Sequence, residues 1–180
     1  MALTQVAAGL LAGSITSSQI TSVSGASLTG TQNIPKATLP TGTVLQVVNG
    51  STATGVSTAS DAYLDTGLTA TITPSSATSK ILVVVSQNGV YADSIATLGL
   101  DIFLFKNATQ LAKIGGRTAG DRPSSTIMSI GSVSCNYLDS PATTSATTYK
   151  TQFLSVNNNT TVYVQVYQAL STITLMEISA

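Results

Sequence analysis

Thr161-Val-Tyr-Val-Gln-Val-Tyr-Gln-Ala-Leu-Ser-Thr-Ile-Thr-Leu-Met-Glu-Ile178 is the stretch that decides the fold class. Val162, Val164 and Val166 alternate with Tyr163, Gln165 and Tyr167, the two-residue period of a strand with two unlike faces. The spacing predicts a strand over Thr161–Ala169 and another over Thr172–Ile178. The valine face belongs in a core. The Tyr-Gln-Tyr face is open to three uses: solvent, a sugar platform or a subunit contact. Tyrosine is enriched where an apolar body and a polar tip are both used, and tryptophan is absent, so Tyr163, Gln165 and Tyr167 are read as a subunit interface.

Outward from this stretch the same grammar continues. Thr148–Val156 precedes it, with Asn157-Asn158-Asn159 as the turn. Further back come Thr126–Tyr137 and a hairpin, Leu100–Phe105 into Gln110–Ile114, turned by Lys106-Asn-Ala-Thr109. Leu68–Thr73 alternates, Pro74–Ser79 turns, and Ile81–Val85 is a continuous apolar run. Thr43–Asn49 opens the series and is expected to stop at Asn49-Gly50. Eight to ten short strands, with no helical period between them, predict an all-β antiparallel sandwich of jelly-roll type over residues 41–180. Val162, Val164, Val166, Leu82, Val84 and Leu104 are its expected core.

Residues 1–40 differ in kind. They hold one charge, Lys36, and isolated apolar residues (Ile15, Ile20, Val23, Leu28, Ile34, Leu39) in a Ser/Thr/Gly background. Neither strand nor helix period persists, except for a short helical stretch around Thr4–Leu11. Such a segment cannot offset its own ordering entropy. It reads as a tail, or as an extended stem ordered against identical copies or a larger body.

Composition restricts the chemistry. The 180 residues include no His and no Trp, one Cys and fourteen charged side chains, while 53 are Ser or Thr. General acid–base and metal-ligating groups are therefore scarce, and the chain is expected not to be an enzyme and to need no cofactor or metal. Asp61 and Asp65 are four apart but need not converge in extended chain, and no acidic cluster has the spacing of a calcium loop. Cys135 shares a phase with Val133 and Tyr137 and reads as a small core residue, since no histidine stands ready to activate it. Four sequon matches, at Asn49, Asn107, Asn158 and Asn159, are what chance gives in so Asn/Ser/Thr-rich a chain. The Lys and Arg residues are scattered, which argues against nucleic acid as a partner. No apolar run approaches the eighteen or so residues of a membrane span, and the opening Met-Ala-Leu-Thr-Gln lacks the positive region of a signal peptide.

Net charge is zero and mean hydropathy +0.34. A small domain with such a surface is prone to self-association, so burial between copies is expected. Two polar loops could carry outward contacts, Gly115–Ser124 and Leu138–Thr147. The first gathers Arg117, Asp121 and Arg122, a candidate receptor-contact loop on a rigid scaffold.

Four phrases carry a family resemblance: Leu28-Thr-Gly-Thr-Gln-Asn-Ile-Pro-Lys-Ala-Thr-Leu-Pro-Thr-Gly-Thr-Val-Leu-Gln-Val-Val48, Thr71-Ile-Thr-Pro-Ser-Ser-Ala-Thr-Ser-Lys-Ile-Leu-Val-Val-Val85, Leu138-Asp-Ser-Pro-Ala-Thr-Thr-Ser-Ala-Thr-Thr-Tyr149 and Ser171-Thr-Ile-Thr-Leu-Met-Glu-Ile178. With them the chain resembles short fibre or appendage proteins of tailed bacteriophages. The resemblance implies a homotrimer located in the virion, with an N-terminal stem bound to other tail, baseplate or capsid proteins. It also implies a C-terminal head related in shape to C1q and TNF, presented to a host surface receptor. It transfers no functional residue. Other readings are a capsid-decorating or baseplate-linking protein that touches no host, a polysaccharide-degrading tailspike, and a secreted C1q-like module. The tailspike is disfavoured by a short chain without convergent carboxylates, the secreted module by the missing signal peptide.

Overall fold

The computed structural model describes residues 39–92, 99–116, 131–156 and 160–180. The stem expected over residues 1–40, with its short helix, lies almost wholly outside them. Ten strands follow in order: β1 (Val44–Thr52), β2 (Val56–Thr58), β3 (Leu64–Ile72), β4 (Lys80–Ala92), β5 (Leu100–Lys106), β6 (Thr109–Gly116), β7 (Gly131–Asp139), β8 (Thr147–Ser155), β9 (Val162–Val164) and β10 (Ser171–Ile178). All pairings are antiparallel. One sheet runs β1-β10-β4-β9-β2, with β7 also on β4; the other runs β3-β8-β5-β6. The eight principal strands thus fall into two four-stranded paths, β1-β10-β4-β7 and β3-β8-β5-β6, the strand order of a jelly roll. The expected β-sandwich is the observed fold.

The core between the sheets has two apolar halves. One gathers Leu68, Ile72, Ile81, Val83, Val85, Leu104, Tyr149, Ile173 and Leu175. The other gathers Val90, Leu100, Ile102, Val133, Phe153, Val162 and Val164. On four strands a polar residue stands where the halves meet: Thr66 on β3, Gln87 on β4, Thr151 on β8 and Ser171 on β10, all buried. These four form one hydrogen-bonded belt from sheet to sheet. Thr66 Oγ1 and Thr151 Oγ1 lie 2.6 Å apart, Thr151 Oγ1 donates to Gln87 Oε1 at 2.9 Å, and Gln87 Nε2 donates to Ser171 Oγ at 3.2 Å. A satisfied belt costs little, whereas an unpaired member would cost about 1–3 kcal/mol.

Two strand phases differ from expectation. In the apolar run of β4, Ile81, Val83 and Val85 face the core, and Leu82 and Val84 are only half-buried on the outer face. A continuous run carries no phase of its own. The phase comes from β10, whose buried Glu177, Leu175 and Ile173 pair with Ile81, Val83 and Val85. Asn49-Gly50 does not end β1, which continues to Thr52. Gly50 serves a close approach instead: a Cβ there would collide with the Thr69 carbonyl oxygen of β3.

The largest departure is in Thr161–Ala169. Its strand stops at Val164, and Gln165, Tyr167 and Gln168 take left-handed φ of 53°, 55° and 60°. Val166 is half-buried, while Val162 and Val164 are fully buried. Strand β4 explains the break. Tyr163 pairs with Tyr91 and Thr172 with Ser86, so nine positions on one side span only five on the other. The surplus leaves the sheet as a turn over Val166–Gln168, tied back by Gln165 N–H donating to the Asn88 carbonyl at 3.0 Å. On β4 the same place is an irregularity between Asn88 and Val90, with Gly89 at φ 63°. A Cβ on Gly89 would sit 2.6 Å from the Val166 backbone nitrogen. Only glycine satisfies both the conformation and the space.

Leu104, fully buried on β5, should cost about 2–5 kcal/mol when truncated to Ala. Gly89→Ala adds a strained φ and a backbone clash, and should destabilise by about 1–3 kcal/mol or more. Denaturant unfolding checks both; a neutral Gly89→Ala would contradict the close approach.

Candidate functional site

The surplus turn builds a concave surface beside the β9 end of the sheet. Its volume is about 500 Å³, and Tyr91, Tyr163, Gln165 and Val166 line it together with Gly55, Tyr167 and Gln168. Tyr91 and Tyr163 are cross-strand partners, and their rings lie 5.5 Å apart at 32°. Tyr167 stands out at 78% exposure. Gln165 is wholly buried; its Nε2 donates to Ser171 Oγ at 3.4 Å, at the end of the polar belt, and its Oε1 has no hydrogen-bond partner among the described residues. None of the described lining residues is charged.

This arrangement corrects the expected interface face. Tyr163, Gln165 and Tyr167 do not share one face of one strand: Gln165 turns inward, and Tyr167 projects from the turn. Tyr91, Gly55 and Gln168 were not singled out by the sequence reading. Tyr91 sits at the far end of β4, six residues past the apolar run that marked that strand. No sequence signal announced the left-handed turn, because glycine, its usual mark, is absent from 165–168.

Six charged residues elsewhere are engaged in three structural pairs. Lys150 Nζ lies 2.8 Å from Asp65 Oδ1, Lys113 Nζ 2.6 Å from Asp101 Oδ2, and Lys106 Nζ 2.9 Å from Asp139 Oδ2. Burial raises the Asp65 pKa, but hydrogen bonds from Lys150 and Gln152 outweigh it and leave the carboxyl below its ordinary value. Asp139 also accepts the Tyr149 hydroxyl at 2.7 Å; burial first, and this carboxylate next, push the Tyr149 phenol far up, so it stays a neutral donor. Cys135 packs half-buried against the first apolar half, and burial raises its thiol pKa, the reverse of what a thiolate nucleophile requires. No group of three or more His, Cys, Asp or Glu side chains converges among the described residues.

Glu177 is the unusual acid. It faces the core at the end of β10, fully buried, without a salt bridge among the described residues. Neutral donors surround it: Gln46 Nε2 at 2.6 Å from Oε2, Ser75 N–H at 2.7 Å and Ser75 Oγ at 2.6 Å from Oε1, and Ser79. Burial works to raise its pKa, yet these hydrogen bonds outweigh it and hold the carboxyl down to about 2, from an ordinary 4.5. The carboxylate fastens β1, β10 and the β3–β4 turn together.

Arg117, Asp121 and Arg122 lie outside the described residues. Of the second loop, Leu138 and Asp139 belong to β7, which leaves residues 140–146 as the connection. No helix among the described residues is long and apolar enough to cross a membrane. A scan against protein-family models gives no match, and no curated protein matches the sequence.

The depressed Glu177 pKa carries a pH signature. A carboxyl lowered by folding contributes stability that is whole above about 4.5 and is lost as pH falls towards 2. Glu177→Gln should therefore be less stable at neutral pH and show a shallower loss between these limits. Equal pH slopes for parent and variant would contradict the assignment.

Proposed function

We propose that the chain is a structural appendage of a virion, with a homotrimeric β-sandwich head used for host-cell attachment and residues 1–40 bound to other virion proteins. One observation carries the assembly half. Val47, Met176, Leu82 and Leu138 are register neighbours on β1, β10, β4 and β7, and form an apolar row across the outer face of the larger sheet. Val47 is 57% and Leu138 52% exposed, and Val44 continues the patch at 49%. Val84 and Ile178 extend it, half-buried. A contiguous apolar face on a chain with zero net charge favours burial against another copy. Two-fold dimers are the commonest soluble assemblies, so the choice of three rests on the resemblance to phage fibres. The attachment half rests on that resemblance alone, as do the virion location and the stem's partners.

Light scattering on the purified chain should give three times 18.3 kDa. Val47→Lys combined with Leu138→Lys should shift it to monomer while the β-sheet circular dichroism signal persists, because both side chains are exposed. A monomeric parent, or a double variant of unchanged mass, would overturn the assembly reading. Attachment is tested separately, by binding of the labelled trimer to host cells.

A further inference from the structure

We infer that the tyrosine-lined concavity at the β9 end of the larger sheet binds the sugar rings of an uncharged glycan. It would deepen the attachment reading, on which its biological setting rests, by giving the receptor a chemical class; the binding itself stands on the concavity.

Three observations converge there. The first is backbone cost. Gln165, Tyr167 and Gln168 all adopt left-handed φ without being glycine, a strained conformation for residues that carry a Cβ. A simple connection between β9 and β10 needs no such conformation, whereas this turn brings an exposed tyrosine and an exposed glutamine to the rim of a pocket. The second is the lining. Tyr163 and Tyr167 present ring surface for the C–H face of a pyranose, backed by the buried Tyr91 ring. The Gln168 amide can donate and accept at once, which suits neighbouring sugar hydroxyls. The third is the buried Gln165, whose Oε1 lacks a donor among the described residues. It stands in the pocket wall at the end of a belt whose other members are paired.

Charge and size narrow the class. With no cation among the described lining residues, a phosphate, sialyl or uronate group would meet no counter-charge from them. About 500 Å³ falls within the usual range of small-molecule sites, roughly 300–1,000 Å³. That is room for sugar rings, and short for the long trough that holds an extended proline-rich peptide.

The test uses the purified full chain without cells, so a failure of the attachment reading leaves it untouched. The probes are hexamers of glucose, galactose, mannose, rhamnose and N-acetylglucosamine. A sialylated trisaccharide and a hexuronate form a charged arm, and decaproline forms a peptide arm. Calorimetry and tyrosine fluorescence should report binding of at least one neutral hexamer. Tyr167→Ala with Gln168→Ala should weaken it about tenfold or more, with mass and circular dichroism unchanged, since both residues are exposed. No binding by any neutral hexamer, undiminished binding by the double variant, or preference for the charged or peptide probes would each overturn the proposal. Sugar binding without cell binding would leave the site standing and remove the attachment reading.

Discussion

The kink of β4 at Gly89 is the constraint on which the larger sheet depends. Before it, β4 pairs with β10; after it, with β9; and β7 follows its other edge through the irregularity. One thirteen-residue strand thereby holds three neighbours. The surplus residues between β9 and β10 are expelled at the same point, where a glycine without a Cβ lets the Gln165–Val166 backbone come close. The tyrosine concavity is thus the outer consequence of the event whose inner consequence is the polar belt. Ser171 links the two, accepting from Gln87 in the belt and from Gln165 in the pocket wall.

The belt also bears on specificity of packing. Two apolar halves built from similar Val, Leu and Ile residues could slide by two positions along a strand and remain buried. Thr66, Thr151, Gln87 and Ser171 resist that slip, since a shifted register would bury their polar atoms unpaired. Glu177 plays the same part at the far end of β10, where only the Ser75, Ser79 and Gln46 donors make a buried carboxylate tolerable.

Fold class was legible because period-two alternation and turn chemistry recur along the chain. Leu100, Ile102 and Leu104 announced their face, and the Asn107 turn came where expected, with Asn107 at φ 52° and its Oδ1 accepting the Thr148 N–H. Phase failed in Ile81–Val85, because a run apolar at every position is silent about which side is inside. Alternation misled at Val162–Val166: the pattern continues past Val164, but the pairing partner does not, and β4's kink lies some seventy residues away in sequence. The concavity was illegible for the same reason, since Tyr91 and Tyr163 meet only through that register.

Inter-strand nuclear Overhauser effects in the deuterated, isotope-labelled chain test this register directly. The account predicts contacts across Tyr163–Tyr91 and across Thr172–Ser86, with none placing Tyr167 opposite Gln87. A continuous ladder carrying Val166 opposite Asn88 and Tyr167 opposite Gln87 would contradict it, removing the surplus turn and the concavity together.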